Sequence, residues 1–256
     1  MEHPICKAPI DTKILKIALI GIGRMGQAVA AEAQKRGHEI VAEIDQDHDE
    51  VSRKQAFSQA DVAIEFTQPE AVLQNIQLAL ATQTPMVTGT TGWYDRLDEV
   101  RAWCYADQGA ILYASNFSIG VNLFFRAAAQ LAQAMAHYND YQVAIDETHH
   151  IHKKDAPSGT AITLAQKIME QDPHLTSWQL VDAGSTSFAS QHIPITARRE
   201  GEVFGMHRLQ FDSEIDTISL RHDAKNRRGF ALGAVQAAEW LVERQGFYSM
   251  DDFLNA

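Results

Sequence analysis

The 256-residue chain contains 45% hydrophobic and 21% charged residues, which is typical of a soluble globular protein with one large or two modest cores. Its formal net charge of −11 argues against nucleic acid or an anionic membrane surface as a partner, because both require a basic footprint. Two distant cysteines, Cys6 and Cys104, exclude a disulfide framework, and neither a membrane-length apolar run nor a signal-peptide core is present. We therefore expect a cytoplasmic enzyme with a loose extension before Leu15.

The first half of the chain alternates strand and helix patterns. Short apolar runs rich in branched residues predict buried parallel strands over 15–20, 39–44, 61–66, 85–87 and 110–114. The segments between them predict helices over 27–35, 70–81 and 95–107. This alternation predicts an α/β fold with a Rossmann-like, doubly wound parallel sheet.

A glycine-rich loop, Gly21-Ile22-Gly23-Arg24-Met25-Gly26, follows the first predicted strand and opens the first helix. In dinucleotide-binding loops the first glycine permits a tight turn, the second lets the backbone approach a pyrophosphate, and the third allows close helix–strand packing. Asp45 ends the second strand, where an acid accepts hydrogen bonds from a ribose 2′-hydroxyl. The loop could be a plain glycine-rich turn, but this context favours a dinucleotide site.

The residues after Asp45 bear on the choice of cofactor. Segment 46–50 is Gln-Asp-His-Asp-Glu, and its acids would repel a 2′-phosphate. Arg53 and Lys54 could fold back and oppose this effect. We expect NADH to be preferred, with NADPH possible.

Two further loops follow predicted strands of the same sheet. Ligands of doubly wound sheets bind at the carboxyl ends of the strands, so we expect both loops to face the nicotinamide half of the cofactor. The residues concerned are Gly89, Thr90 and Thr91 after the fourth strand, and Ala114, Ser115, Asn116 and Phe117 after the fifth.

The second half of the chain has a different pattern. Helical periodicity predicts helices over 121–137, 158–170 and 230–245, and candidate strands lie at 141–145, 178–181, 193–198, 207–211 and 216–221. This predicts an α+β unit with an open, mostly antiparallel or mixed sheet. We place the dinucleotide-binding domain at 1–117, with region 225–256 docking back onto it, and a second domain at 118–224.

Segment 147–161, Glu-Thr-His-His-Ile-His-Lys-Lys-Asp-Ala-Pro-Ser-Gly-Thr-Ala, carries the strongest functional signal. Three imidazoles and two ammonium groups precede a predicted helix start, whose free N–H groups and partial positive charge suit an anion. Strand-like alternation would place His149 and Lys153 on one side, where two positive groups would depress each other's pKa. The segment therefore predicts a site that binds and protonates an acidic small molecule.

The same segment has other interpretations. A metal site is one, but adjacent histidines of an extended segment point to opposite faces, so only His150 and His152 would share a face. We expect no metal. We interpret Lys154 as solvated, and Arg221 and His222 as structural.

Segment 147–161 fits the E-x-H-H-x-x-K-x-D-A-P-S-G-T-A signature, so the chain resembles the 4-hydroxy-tetrahydrodipicolinate reductase (dihydrodipicolinate reductase) family. The resemblance covers nearly the whole chain after Leu15. It continues at 21–26, 61–70, 89–92, 114–122, 199–201, 205–207 and 222–235.

The resemblance implies a reductase of lysine and diaminopimelate synthesis. Such an enzyme passes a hydride from NADH or NADPH to C4 of a cyclic imine dicarboxylate, and the 4-hydroxyl is lost. By position, the resemblance implies that His149 and Lys153 are the acid/base pair and that His150, Gly159 and Thr160 bind the substrate. It also implies that the cofactor lies on the loops and on Asp45 identified above, and that the second domain binds substrate and builds a homotetramer.

One segment departs from the family pattern. The stretch between Asp45 and Asp61 is short, so a strand–helix unit common in the family looks trimmed or absent. Two alternatives compete with the reductase interpretation: a Rossmann-fold reductase of an acyclic semialdehyde or imine, and a sensor that binds NAD(H) without chemistry.

Overall fold

The computed structural model describes residues 13–182 and 191–256. The N-terminal extension, with Cys6, lies outside this range. The strands are β1 Lys16–Ile20, β2 Glu39–Ile44, β3 Val62–Glu65, β4 Met86–Thr88, β5 Ala110–Tyr113, β6 Gln142–His149, β7 Ser177–Val181, β8 His192–Arg199, β9 Met206–Asp212, β10 Thr217–Asp223 and β11 Gly246–Ser249. The α-helices are α1 Arg24–Lys35, α2 Glu50–Gln59, α3 Pro69–Ala81, α4 Leu97–Ala106, α5 Ile119–Met135, α6 Gly159–Met169, α7 Arg228–Leu241 and α8 Met250–Leu254.

The chain divides into two compact units. Unit 1 comprises Met1–Ser118 and Phe230–Ala256, and unit 2 comprises Ile119–Gly229. Among the described residues, no helix combines the length and the apolar character that crossing a membrane requires.

Unit 1 contains a parallel sheet with the strand order β11-β5-β4-β3-β1-β2. Successive side chains of a strand point to opposite faces, so β1 serves two cores. Ile17 and Leu19 pack with α1 and α7 on one face, whereas Ala18 and Ile20 pack with α2 and α3 on the other. The predicted doubly wound sheet is confirmed. The chain order reverses at β1, and the carboxyl end of such a strand is where ligands of these sheets bind.

The structure corrects the expectation for the segment between Asp45 and Asp61. Helix α2 occupies it, so the helix of that unit is present. It begins at the cap residue Asp49, whose side chain accepts a hydrogen bond from the N–H of Ser52. Only Ala56 and Phe57 of α2 are buried, so the segment carries too little apolar periodicity for the helix to be predicted.

The C-terminal region also differs from the prediction. Helix α7 ends at Leu241, and β11 and α8 follow it. Strand β11 pairs in parallel with β5, and Ser249 and Asp252 form a capping box at the start of α8. Both elements are short, and β11 is only half-buried, so neither has a clear sequence pattern.

Unit 2 contains a sheet with the order β10-β9-β6-β8-β7. Strand β6 is parallel to β8 and antiparallel to β9, so the predicted mixed sheet is confirmed. Helices α5 and α6 cover one face, and their apolar stripes pack on Ile145, Ile193, Ile195 and Leu209. Two helices and one sheet face therefore enclose the core.

Strand β6 is longer than the predicted strand 141–145 and ends at His149. Its last residues pair with neighbours on both sides: Glu147 lies opposite Ala197 of β8 and His207 of β9, and His149 lies opposite Arg199 of β8. The strand continues through these polar residues because they pair with β8 on one side and β9 on the other. The alternation of apolar and polar residues in the sequence does not show such pairing.

A close contact within unit 1 gives a test of the fold. A Cβ at Gly233 of α7 would lie 1.8 Å from the carbonyl oxygen of Phe117, so Gly233→Ala must push the helix away from the loop after β5. We expect a cost of about 1–3 kcal/mol, which is roughly 2–10 °C in melting temperature. Gly229→Ala, at an exposed position of the same helix, is the control and should leave the melting temperature unchanged or slightly raised. Equal melting temperatures for the two variants would show that the contact is not rigid.

Candidate active site

The glycine-rich loop of unit 1 has the geometry of a phosphate-binding turn. Gly21 has a φ of +90°, and a Cβ there would lie 2.2 Å from the carbonyl oxygen of Phe66. A Cβ at Gly26 would lie 2.1 Å from the carbonyl oxygen of Gly21, whereas one at Gly23 would meet no atom within 4 Å. The first and third glycines are therefore required by packing, and the second leaves open space for a ligand.

Asp45 and the glycine-rich loop line one cavity of about 540 Å³. Arg53 of α2 lines it too, because its guanidinium turns back and donates to the carbonyl oxygen of His48 over 3.1 Å. The structure thus brings Asp45 beside the loop, as predicted. It also brings an arginine beside Asp45, which a 2′-phosphate would favour.

A buried carboxylate that sequence reasoning missed organises the loop after β4. Glu65, at the end of β3, is fully buried, and its carboxylate accepts hydrogen bonds from the hydroxyls of Thr67, Thr88 and Thr90. Burial raises the pKa of Glu65, although these hydrogen bonds oppose the rise. The hydroxyl of Thr90 also accepts from the N–H of Thr67 over 2.8 Å, so the ends of β3 and β4 are tied together.

Phe66 brings the other predicted loop residues of unit 1 together. Its ring would contact a Cβ at Gly89 at 1.9 Å, and it meets the ring of Phe117 edge-on at 5.9 Å between centroids. The loops at 89–91 and 114–117 therefore lie at the carboxyl ends of adjacent strands, around one aromatic side chain.

The histidine-rich segment of unit 2 surrounds a second buried carboxylate, that of Glu147. The N–H of Ser158 donates to Oε1 over 3.0 Å, and Nη2 of Arg199 donates to the same atom over 3.2 Å. Oε2 lies 3.4 Å from Nδ1 of His149 and 3.7 Å from Nε2 of His207. Glu147, His149, Ser158 and His207 are buried, and the side chain of Arg199 is 20% exposed. The segment therefore forms a compact ionic cluster rather than an exposed basic run.

Helix α6 begins at this cluster. Ser158 caps it by accepting from the N–H of Ala161 over 3.2 Å, and its hydroxyl lies 3.1 Å from Nε2 of His207. The first turn of a helix has N–H groups without intrahelical acceptors, and those of Gly159 and Thr160 belong to this turn. A Cβ at Gly159 would meet nothing within 4 Å, so there is open space at the helix start. That an anion binds to these N–H groups stays a prediction.

Lys153 was expected to continue a strand-like alternation with His149, but it lies in a turn after the strand. The strand ends at His149, and the N–H of Lys153 donates to the carbonyl oxygen of His150, which closes a turn. Its ammonium group binds both carboxylate oxygens of Asp155, each over 2.9 Å. Lys153 is thus placed near the site by a turn that a β pattern cannot predict, and its described partner is Asp155 rather than His149.

The remaining histidines of the segment have separate positions. His152 is exposed and lies 3.8 Å from Glu202, whereas Nδ1 of His150 is buried and has no hydrogen-bond partner among the described residues. Their rings lie 6.1 Å apart. Lys154 is exposed, which agrees with a solvated side chain.

The cluster fixes the protonation states of its members. Burial alone would raise the pKa of Glu147, but the His207 ring and the Ser158 donors outweigh it and lower the pKa to about 2. Burial is the main cause that lowers the pKa of His149 to about 4. The charges of His207, Lys153 and Arg199 act in the same direction, and the Glu147 carboxylate opposes them. At neutral pH the site therefore holds a carboxylate beside a neutral imidazole.

Glu147, His149 and His207 are also metal-type ligands, and one ligand atom of each lies within 4.8 Å of the others. These are not the residues that the sequence pattern offered for a metal site, where only His150 and His152 would share a face. Because Arg199 and Ser158 already contact this cluster, we interpret it as an ionic cluster. That no metal is needed stays an expectation.

One unit contains a Rossmann-type sheet with a dinucleotide loop, and the other contains a cluster of carboxylate and imidazole groups at an open helix start. These features are typical of a pyridine-nucleotide-dependent oxidoreductase. Residues 15–117 match the family described as "Dihydrodipicolinate reductase, N-terminus", and residues 120–254 match "Dihydrodipicolinate reductase, C-terminus". The chain belongs to the dihydrodipicolinate reductase family.

Individual relatives agree with this assignment. The chain is 45% identical over 241 residues to the 4-hydroxy-tetrahydrodipicolinate reductase of Christiangramia forsetii, covering 94% of this chain and 98% of the relative. It is 35% identical over 240 residues to that of Magnetococcus marinus, covering 92% and 81%. The dipicolinate-bound dihydrodipicolinate reductase of Paenisporosarcina sp. TG-14 superposes with a TM-score of 0.75 at 25% identity, over 93% of this chain and 98% of that one. Neither a semialdehyde reductase nor a non-catalytic sensor is favoured by these matches.

The protonation states give a direct test. In the ligand-free protein the ring of His149 should titrate near pH 4, below the ordinary value of 6.5, because burial disfavours the imidazolium ion. Histidine ring resonances followed by NMR, with His149→Gln to assign them, measure this midpoint. A midpoint at or above 6.5 would contradict the burial of this ring.

Proposed function

We propose that the chain reduces 4-hydroxy-tetrahydrodipicolinate to tetrahydrodipicolinate in lysine and diaminopimelate synthesis, with NADH as the preferred hydride donor. One observation carries the proposal: Glu147 contacts both a buried imidazole, His149, and the start of the open helix α6, at Ser158. Proton transfer and anion binding thus meet in one cluster. The printed activities of the relatives support it, as does the dicarboxylate bound to the structural neighbour.

The substrate binds in unit 2 through its carboxylates. The N–H groups of Gly159 and Thr160 hold one carboxylate at the start of α6, because this end of a helix carries a partial positive charge. His150 and Lys153 supply further donors for a dianion. A locally basic site allows a chain of net charge −11 to bind an anionic substrate.

The reaction consumes one hydride and one proton and releases water from C4. A bound pyridine nucleotide supplies the hydride. Lys153 and His149 form the acid/base pair that donates and accepts the proton. Because His149 is neutral at neutral pH, Lys153 is the initial proton donor, and a bound dianion raises the pKa of His149 so that it can hold a proton in turn.

The cofactor binds in unit 1 on the glycine-rich loop and on the two strand-end loops. Asp45 accepts hydrogen bonds from the ribose hydroxyls, which favours NADH, whereas Arg53 in the same cavity allows some use of NADPH. The contacting residues are Gly21 to Gly26, Asp45, Gly89 to Thr91 and Ala114 to Phe117. A homotetramer built through the sheet of unit 2 and a cytoplasmic location are part of the same proposal.

The role of Lys153 is tested with a coupled assay in which 4-hydroxy-tetrahydrodipicolinate is generated enzymatically and NADH oxidation is followed. Lys153→Ala should lower kcat about 10²-fold, because it removes the proton donor, and should leave NADH binding unchanged. Lys154→Ala is the matched control and should keep its activity. Undiminished turnover in Lys153→Ala would remove this residue from the mechanism.

The cofactor preference depends on two residues with opposite charges. Asp45→Ala should weaken NADH binding and shift the ratio of kcat/KM values toward NADPH, because it removes the 2′-hydroxyl acceptor and a negative charge. Arg53→Ala should shift the same ratio toward NADH. Steady-state kinetics with both cofactors measure the ratio, and an unchanged value in Asp45→Ala would exclude Asp45 from cofactor recognition.

A further inference from the structure

The ion pair between Glu147 and Arg199 contacts three parts of the site in unit 2: the His149 ring, the turn that carries Lys153, and the start of α6. We propose that it is a positioning device that holds His149, the turn carrying Lys153 and the start of α6 in one arrangement. The inference rests on the proposed roles of those residues. Neither member of the pair is assigned to bind substrate or to transfer a proton.

Glu147 connects two of the three parts. Its side chain is fully buried, and its two oxygens face different elements. Oε1 accepts from the N–H of Ser158, the residue before the open helical turn, over 3.0 Å, and Oε2 faces Nδ1 of His149 at 3.4 Å. One rigid carboxylate therefore sets the distance between the imidazole and the carboxylate-binding N–H groups.

Arg199 connects the third part. Its Nε donates to the carbonyl oxygen of Lys153 over 3.3 Å, and its Nη2 donates to the carbonyl oxygen of Asp155. The same Nη2 binds Oε1 of Glu147 over 3.2 Å. The guanidinium therefore holds the backbone on both sides of Lys154, and with it the turn that presents the Lys153 ammonium group.

The negative charge of Glu147 affects the protonation of His149 as well as its position. The groups that face His149 are Glu147 on its own strand, His207 on β9, Arg199 on β8 and Lys153 in the turn. Three of them disfavour a proton on His149, and only Glu147 favours one. Replacing Glu147 with glutamine keeps an acceptor for Ser158 but removes the one negative charge, so protonation of His149 becomes harder.

Strand β6 supplies a matched control. Asp146 is adjacent to Glu147 and is also buried, but neighbouring strand residues point to opposite faces. Its carboxylate binds Arg208 over 2.7 Å and Arg198 over 3.3 Å. Asp146→Asn therefore removes the ion pairs of a buried carboxylate on the opposite face of the same strand. Its partners Arg208 and Arg198 are 41% and 37% exposed, compared with 20% for Arg199.

The experiment compares Glu147→Gln, Arg199→Lys and Asp146→Asn with the wild-type protein. We expect Glu147→Gln to lower kcat about 10²-fold, because it removes the ion pair with Arg199 and the negative charge beside His149. It should also weaken the binding of dipicolinate, used as the probe of the carboxylate site. Its acidic limb of kcat/KM against pH should move to lower pH. Arg199→Lys should raise the substrate KM and lower kcat, because a compact ammonium group cannot reproduce the planar donor geometry with which the guanidinium reaches two carbonyls and a carboxylate.

Two readouts separate positioning from general stability. NADH affinity, measured by fluorescence, should be unchanged in all variants, and Asp146→Asn should keep kcat/KM within about 3-fold of wild type. The inference is overturned if Glu147→Gln keeps the wild-type kcat and pH profile, or if Asp146→Asn loses as much activity.

The inference can fail independently of the proposed function. If the wild-type protein does not reduce 4-hydroxy-tetrahydrodipicolinate, the proposed function fails. The NMR midpoint of His149 needs no turnover, and it should fall further in Glu147→Gln than in Asp146→Asn. An unchanged midpoint in Glu147→Gln would overturn the positioning role by itself.

Discussion

The carboxylate of Glu147 is buried at the end of a central strand, and the arrangement of unit 2 depends on how it is satisfied. An unpaired charge in a protein interior costs several kcal/mol, so such a group must have donors or cations within reach. Here the donors are a backbone N–H at a helix start and the guanidinium of Arg199. Ser158 caps α6, and Arg199 also binds the backbone of the turn that carries Lys153, so the contacts that satisfy the charge join both segments to β6.

Two of the buried carboxylates, those of Glu65 and Glu147, show how neighbouring groups decide the direction of a pKa shift. The described partners of Glu65 are hydroxyl and N–H groups. The effect of burial is larger than that of these hydrogen bonds, so the pKa of Glu65 is raised. Glu147 has the His207 ring and the Ser158 donors beside it, and these outweigh burial and lower its pKa to about 2. Glu65 therefore ties the ends of β3 and β4 together through its hydrogen bonds, whereas Glu147 places a negative charge beside an imidazole at neutral pH. The same residue type has a structural role in unit 1 and an electrostatic one in unit 2.

Local patterns predicted much of this structure. The spacing of Gly21, Gly23 and Gly26 predicted the turn at the end of β1, and alternating apolar runs predicted the parallel sheet. Periodicity failed where few residues are buried, as in α2, and where buried residues are polar, as in the last part of β6. The contacts of Arg199 and His207 with Glu147 depend on strand register across more than 50 residues, which no local pattern contains. The position of Lys153 depends on a turn, so an alternation rule placed it on the right segment but in the wrong conformation.

The central claim is that this chain transfers a hydride from a pyridine nucleotide to C4 of a cyclic imine dicarboxylate. The direct measurement uses NADH with deuterium at both positions of the nicotinamide C4 and enzymatically generated 4-hydroxy-tetrahydrodipicolinate, followed by mass spectrometry and NMR of the product. We expect tetrahydrodipicolinate that carries one deuterium at ring C4, formed in step with NADH oxidation. A deuterium-free product, or NADH that is not oxidised when the substrate is present, would contradict it.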